Sequence, residues 1–410
     1  MLSLDLIGRH ISVGTLHVTD AAGRRHSFVG DGGPEVAIRL TDHGFLRRLI
    51  VQPELAIGEA YMDGHLVLEQ GTVYEFLEIL FDARERMGGG GFRNLMTWIG
   101  DRIKLVAAAN PVWRSRRNVE HHYDLKDELF ELFLDRGRQY SCAYFAEPDA
   151  DLEAAQHRKK LHIAAKLLPE TGTRLLDIGS GWGGLGMFLA RFGSLSVDGI
   201  TLSHEQHDYS NRMVREAGLG NRVQFHLKDY RQVEETYDRI VSVGMLEHVG
   251  PANYGTFYSQ VSRMLRENGV ALIHSIGAFR KIGPINDWMS RYIFPGGYIP
   301  ALSEQMVHIE RAGLLVTDIE ILRLHYAETL RLWNQAFQRN RDKARALYDE
   351  RFCRMWELYL NGCEVCFRRR MLMVFQVQLA KSLDAVPLTR DYITEFERRH
   401  LNTADGLAIS

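Results

Sequence analysis

The chain has 410 residues, 45% hydrophobic and 25% charged, the balance of a soluble globular protein with room for two domains. A net charge of −2 excludes a globally basic nucleic-acid binder, and no apolar run approaches the roughly 18 residues of a membrane-spanning helix. Four cysteines are too few for a disulfide framework and suit the reducing cytosol.

The opening MLSLDLIGRHISVG carries acidic and polar residues too early for a signal peptide. The short alternating stretches TLHVTD, HSFVG and EVAIRL then predict a small antiparallel sheet within residues 1–45. From FLRRLIVQPELAIGEAYMDGHL through TVYEFLEILFDARERM the apolar spacing becomes helical, and GGGG at 88–91 is a flexible break. Residues 93–117 set Arg93, Arg102, Lys104, Arg114, Arg116 and Arg117 against Asp101, with Trp98 and Trp113 between them. Two readings stand side by side: a solvated interdomain helix and linker, or a contact with an anionic membrane surface.

Beyond LPETG, strands alternate with helices. TRLLDIGSG, LSVDGITLS, VQFHLKDY, YDRIVSVGMLEHVG and GVALIHSIG read as five strands of a parallel, doubly wound sheet. Cys363 and Cys366 form a CxxC, but they lie in WELYLNGCEVCFRRRMLMVFQ, which has helical spacing. No second pair completes a zinc site, so a structural role is expected there and no metal.

LLDIGSGWGG places Asp177, Gly179, Gly181, Gly183 and Gly184 at a strand-to-helix turn, where glycines let a ligand approach the backbone. The spacing of Gly179, Gly181 and Gly184 also fits the dinucleotide pattern GxGxxG, so the turn alone is weak. With the acidic residue before the first glycine, it resembles the signature of class I S-adenosylmethionine (AdoMet) methyltransferases.

HHYDLKDELFELFLD, YSCAYF, LEAAQHRKK, LLDIGSGWGGL, GITLSHEQ, DRIVSVGMLEHVGPANY, HSIG, RYIFPGGYIP and HYAETLRLW run in order from about 121 to 335. Together they resemble the bacterial cyclopropane-fatty-acyl-phospholipid synthases and the related mycolic acid cyclopropane synthases. PELAIGEAYMDGHL resembles the N-terminal lipid-binding domain of the phospholipid-acting members. The resemblance implies a class I AdoMet methyltransferase, a Rossmann-like doubly wound α/β fold with a smaller α+β N-terminal domain. The expected boundaries are 1–92 for the lipid-binding domain, 93–119 for the basic linker, 120–384 for the catalytic domain, and 385–410 for a C-terminal extension that resembles nothing recognisable.

The same resemblance implies the site. Tyr140 and Ser141 would lie at the amino-acid end of AdoMet, with Asp177, Gly179 and Gly181 at the glycine turn. Thr201, Leu202 and Gln206 would hold ribose and methionine, and Asp229 with Tyr230 the adenine. Cys142, Glu247, His274, Ile276 and Tyr326 match positions that hold bicarbonate in the family. Ser180 stands where relatives often have cysteine, a small-for-small change.

An alkene attacks the sulfonium methyl and leaves a carbocation; ring closure needs one proton to leave. A held bicarbonate accepts it, and Glu247 and His274 are candidate relays. Cys142 is then expected to cradle the oxyanion; the rival reading, a covalent cysteine, requires an activating base. The implied substrate is an unsaturated phospholipid, and the implied product a cyclopropane ring. The alternative is a methyl- or methylene-branched chain formed by the same methyl transfer. The expected setting is cytoplasmic, peripheral on the inner membrane, with an anionic lipid surface as partner, no nucleic acid, and a homodimer, as family members often are.

Overall fold

The structure is a computed structural model describing residues 8–86, 125–170, 172–192, 194–281 and 285–401. The GGGG break and the basic segment 93–117 lie outside the described residues. Chain contacts divide the protein into two units. The first takes described residues of 1–104 together with Ile285–Pro295 and Leu330–Arg369. The second takes the rest, including Gly296–Thr329 and the chain beyond 369.

The first unit is built on a four-stranded sheet of β1 (Thr15–Thr19), β2 (Arg25–Val29), β3 (Glu35–Leu40) and β4 (Leu66–Gln70), ordered β2-β1-β3-β4. Alternation puts Leu16, Val18, Val36, Ile38 and Leu40 on the buried face. The sheet is mixed, which corrects the antiparallel expectation: β1 pairs parallel with β3, while β1–β2 and β3–β4 are antiparallel. The chain passes β3 to the far side of β1 from β2, and no local pattern encodes that return. Helices Phe45–Val51, Pro53–Met62 and Val73–Arg86 follow. Helix Glu350–Arg368 packs on the last two. Gly58 admits the indole of Trp288, which an added Cβ would meet at 2.2 Å. Glu357 accepts from the Tyr61 hydroxyl at 2.9 Å and from Arg341 at 2.8 Å. Cys363 and Cys366 sit in this helix as free thiols, as its spacing predicts.

The second unit holds a seven-stranded sheet, ordered β10-β11-β9-β8-β5-β6-β7. Its members are β5 (Arg174–Ile178), β6 (Ser196–Thr201), β7 (Val223–Leu227), β8 (Tyr237–Val243), β9 (Leu265–Ala278), β10 (Leu315–Ile321) and β11 (Leu372–Ala380). The five predicted strands are β5 to β9 and run parallel; β11 runs antiparallel beside β9, and β10, paired antiparallel with β11, closes that edge. Successive residues face opposite sides. Leu176, Ile240 and Ile273 join one apolar cluster with Phe257 and Val261 of helix Tyr254–Met264. Leu175, Val241 and Leu272 join another with Leu161 and Ile163 of helix Leu152–Leu167. The Asp151 carboxylate caps that helix by accepting from the Ala154 amide at 2.8 Å. Helix Asp391–Leu401, from the segment without a recognised counterpart, packs against it.

Candidate active site

Parallel strands place their C-terminal ends along one edge, where doubly wound sheets bind ligands. A cavity of about 1160 Å³, its open mouth included, lies there. Tyr140, Ser141, Asp177, Gly179, Gly181, Thr201, Leu202, Gln206, Asp229 and Tyr230 all line it. The ten residues expected at the cofactor are therefore brought together.

The turn after β5 is shaped for a ligand. Gly179 and Gly181 have φ of +80° and +54°, the left-handed region that glycine enters freely. A Cβ on Gly179 would come within 2.8 Å of the Met245 side chain, whereas one on Gly181 would meet nothing within 4 Å and would project into open space. Burial pushes the Asp177 carboxyl up to about 7, against the lowering pull of Lys159. Asp177 Oδ2 and Gln206 Nε2 are buried without a hydrogen-bond partner. Such orphaned groups are costly, and a ligand bearing an ammonium and hydroxyls would satisfy them. AdoMet carries both, so the residues fit it. Thr201 Oγ1 donates to Gln206 Oε1 at 2.8 Å, fixing that amide with its nitrogen free. Asp229 differs from expectation in detail: both its oxygens already accept from Arg231, at 2.8 and 2.7 Å.

The five residues matched to the anion site are not lining residues of this cavity, although Cys142 and Glu247 adjoin lining residues in the chain. Glu247 lies between Met245 and His248, both of which do line it. The Ile276 amide donates to Glu247 Oε1 at 2.6 Å, and Glu247 Oε2 is buried without a partner. Burial pushes the Glu247 carboxyl up to about 7, with the Ile276 amide pulling the other way. His274 lies two residues earlier on β9, and its carbonyl accepts from the Gly244 amide at 2.9 Å. Burial, helped by the charges of Lys159 and Lys166, lowers His274 to about 3, so its imidazole is neutral near pH 7. Cys142 and Tyr326 are both buried. They are tied through neighbours: the Ala143 amide donates to Thr329 Oγ1 at 3.0 Å, one helical turn from Tyr326. Cys142 Sγ donates to the Ala143 carbonyl at 3.3 Å, and burial raises its thiol far above the thiolate range, which disfavours a nucleophile.

Sequence reasoning missed Lys159. Its buried ammonium donates to Gln139 Oε1 at 2.6 Å and Ser141 Oγ at 3.0 Å, and both acceptors' residues line the cavity. It missed Lys166, Gln376 and His248 as well. A signal existed for the lysines: Lys159 and Lys166 share a helix stripe with Gln156 and Ile163, a spacing of three to four residues that marks the inward face. Among the described residues, no cluster of His, Cys, Asp and Glu could hold a metal ion.

Known proteins share this arrangement. The mycolic acid cyclopropane synthetase family pattern matches residues 112–377. The cyclopropane-fatty-acyl-phospholipid synthase of Escherichia coli K12 is 34% identical over 354 residues, covering 86% of this chain and 90% of that protein. The tuberculostearic acid methyltransferase of Mycobacterium tuberculosis is 39% identical over 282 residues, covering 65% of this chain and 66% of that one. The solved structure of mycolic acid cyclopropane synthase CmaA1, complexed with SAH and CTAB, superposes with a TM-score of 0.61 at 35% identity, covering 64% of this chain and 97% of that one. A glycine-turn cavity at the switch of a class I sheet, with a family match over residues 112–377 and a synthase relative matched over 90% of its length, leads to one conclusion: the chain belongs to the mycolic acid cyclopropane synthetase family and is an AdoMet-dependent methyltransferase.

Proposed function

We propose that the protein adds the methylene unit of AdoMet to the cis double bond of unsaturated phospholipid acyl chains, forming a cyclopropane ring and releasing one proton. The observation that carries this reading is the Glu247 carboxylate: one oxygen held by the Ile276 amide, the other buried and unpartnered, beside the cofactor cavity. Bound AdoMet supplies a sulfonium methyl, an electrophile strong enough for an alkene. Tyr140, Ser141, Asp177, Gly179, Gly181, Thr201, Leu202, Gln206, Asp229 and Tyr230 would hold it. Cys142, Glu247, His274, Ile276 and Tyr326 would hold a bicarbonate ion, whose chemistry is that of a small, non-nucleophilic proton acceptor.

A carboxyl near 7 exchanges protons readily at neutral pH, which suits Glu247 to receiving the product proton. A neutral His274 offers a hydrogen bond without adding charge beside a cation. No helix among the described residues is long and apolar enough to cross a membrane. On this reading the protein meets its lipid at an anionic bilayer surface.

Incubation with AdoMet and vesicles of unsaturated phospholipid tests the reading. Acyl chains should gain one CH₂ and lose their olefinic protons; unchanged chains overturn it. The similarity to a tuberculostearic acid methyltransferase favours a second reading, a branched chain, which NMR of the product lipid separates from a ring.

A further inference from the structure

β11 is buried along its whole length, yet it carries two glutamines, Gln376 and Gln378. A buried amide without partners is costly, so each must be satisfied locally. Gln376 sits opposite His274 in the β9–β11 register. Its Nε2 and His274 Nδ1 are 3.1 Å apart, and its Oε1 accepts from Lys166 Nζ at 2.8 Å.

An ammonium can only donate. Lys166 therefore fixes the oxygen of Gln376 on its own side and the NH₂ on the histidine's side. Nδ1 of His274 must then accept, which leaves the ring proton on Nε2.

Carboxylates surround Lys166 on its other side. Glu320 accepts from Lys166 and from His162 Nε2, the latter at 2.7 Å. Glu397, on the C-terminal helix, bonds His162 Nδ1 at 2.6 Å. Asp318 lies 3.6 Å from Lys166 and 3.0 Å from Arg390. Because carboxylates face both ring nitrogens of His162, its charged form is favoured and its pKa is raised despite burial. Lys166, His162 and Arg390 thus balance Glu320, Glu397 and Asp318. The charged groups acting on His274 itself are Lys159, Lys166 and His162 from helix Leu152–Leu167 and Glu320 from β10.

We propose that Lys166 and Gln376 are positioning residues that hold His274 as the neutral tautomer protonated on Nε2, so that it serves as a hydrogen-bond donor to the anion and not as a base. This rests on the proposed function above and divides the labour within it, leaving Glu247 to take the proton on from the anion. It also gives the C-terminal helix a task, that of holding His162 and through it the carboxylate on Lys166.

The full-length protein labelled with ¹⁵N-histidine tests this, the His274 signals being assigned by their loss in His274→Gln. Between about pH 6 and pH 9, spanning the free histidine pKa, Nδ1 should stay pyridine-like and Nε2 pyrrole-like. The reverse tautomer, or an imidazolium appearing in that range, overturns the proposal. In turnover, Gln376→Met and Lys166→Met should lower kcat roughly tenfold to hundredfold, the usual effect of losing a partner that orients a working histidine. AdoMet affinity should stay within about twofold, far below the tenfold that 1.4 kcal/mol represents. A Gln376→Met enzyme with wild-type kcat overturns the proposal. Should the variants fail to fold, the wild-type spectrum still decides. A wild-type protein that makes no ring refutes the proposed function instead, and leaves the tautomer result standing.

Discussion

The backbone amide of Ile276 donates to Oε1 of Glu247 at 2.6 Å, while Oε2 of the same carboxylate is buried with no partner. Burial raises the group to about 7, so its charged form fills in as pH rises through neutrality. If the carboxylate accepts a proton, turnover should climb across that range. Glu247→Gln should lower kcat by roughly 10²- to 10⁴-fold at pH 8, the usual worth of a positioned base, read from the pH–rate profile of ring formation.

The same shift makes a stability prediction. The folded pKa of Glu247 lies above its ordinary value of 4.5, so the native state binds the proton more tightly than the unfolded chain. No penalty exists below about 4.5; it grows as pH rises and is complete above about 7. Glu247→Gln should therefore raise stability at pH 8 by about 3 kcal/mol and change it little at pH 4, as thermal melts at the two pH values would show.

Asp177 has the same sign and a different consequence. Its carboxyl, raised to about 7, would favour a cationic ligand only when ionised. AdoMet should bind more tightly as pH rises through that value. Asp177→Asn should weaken binding by roughly tenfold to hundredfold at pH 8 and flatten the pH dependence, as calorimetric titration would show.

Lys159 holds Gln139 and Ser141 from behind the cavity wall. Lys159→Met should leave both acceptors without their donor and raise the KM for AdoMet by about tenfold. Arginine should rescue little, because its fork does not reproduce a point donor in a fully buried site.

In the first unit, helix Phe45–Val51 buries Phe45 and Leu49 and exposes Ile50 and Val51 at 70% and 74%, beside exposed Arg47 and Arg48. Apolar tips flanked by basic residues suit an anionic bilayer. Ile50→Glu with Val51→Glu should reduce flotation with anionic vesicles by roughly tenfold or more while shifting stability by less than about 0.5 kcal/mol.

What the sequence disclosed followed how local each signal was. The parallel strands β5 to β9 and the glycine turn each announce themselves within ten residues, and the structure has them. β4, LVLEQ between two helices, was too short to interrupt a helical reading. The parallel β1–β3 pairing depends on which side of β1 the chain returns to, a choice made by the packed helices. The ten residues that line the cavity were named from the glycine motif and the family resemblance together. The charge states of Glu247, His274 and Lys159 were not, because burial by distant segments sets them. Lysines 159 and 166 carry no motif, and only the inward stripe they share with Gln156 and Ile163 hints at their burial.

The first unit recruits helix Glu350–Arg368 onto helices Pro53–Met62 and Val73–Arg86. Residues near the start of synthesis thus wait for a partner made near its end. A nascent chain halted before that helix emerges carries the bare sides of two earlier helices, a sticky surface of the kind chaperones shield. An N-terminal fragment expressed alone would inherit the same unfinished core, so the first unit of this enzyme is not a module that can be cut out with one pair of scissors.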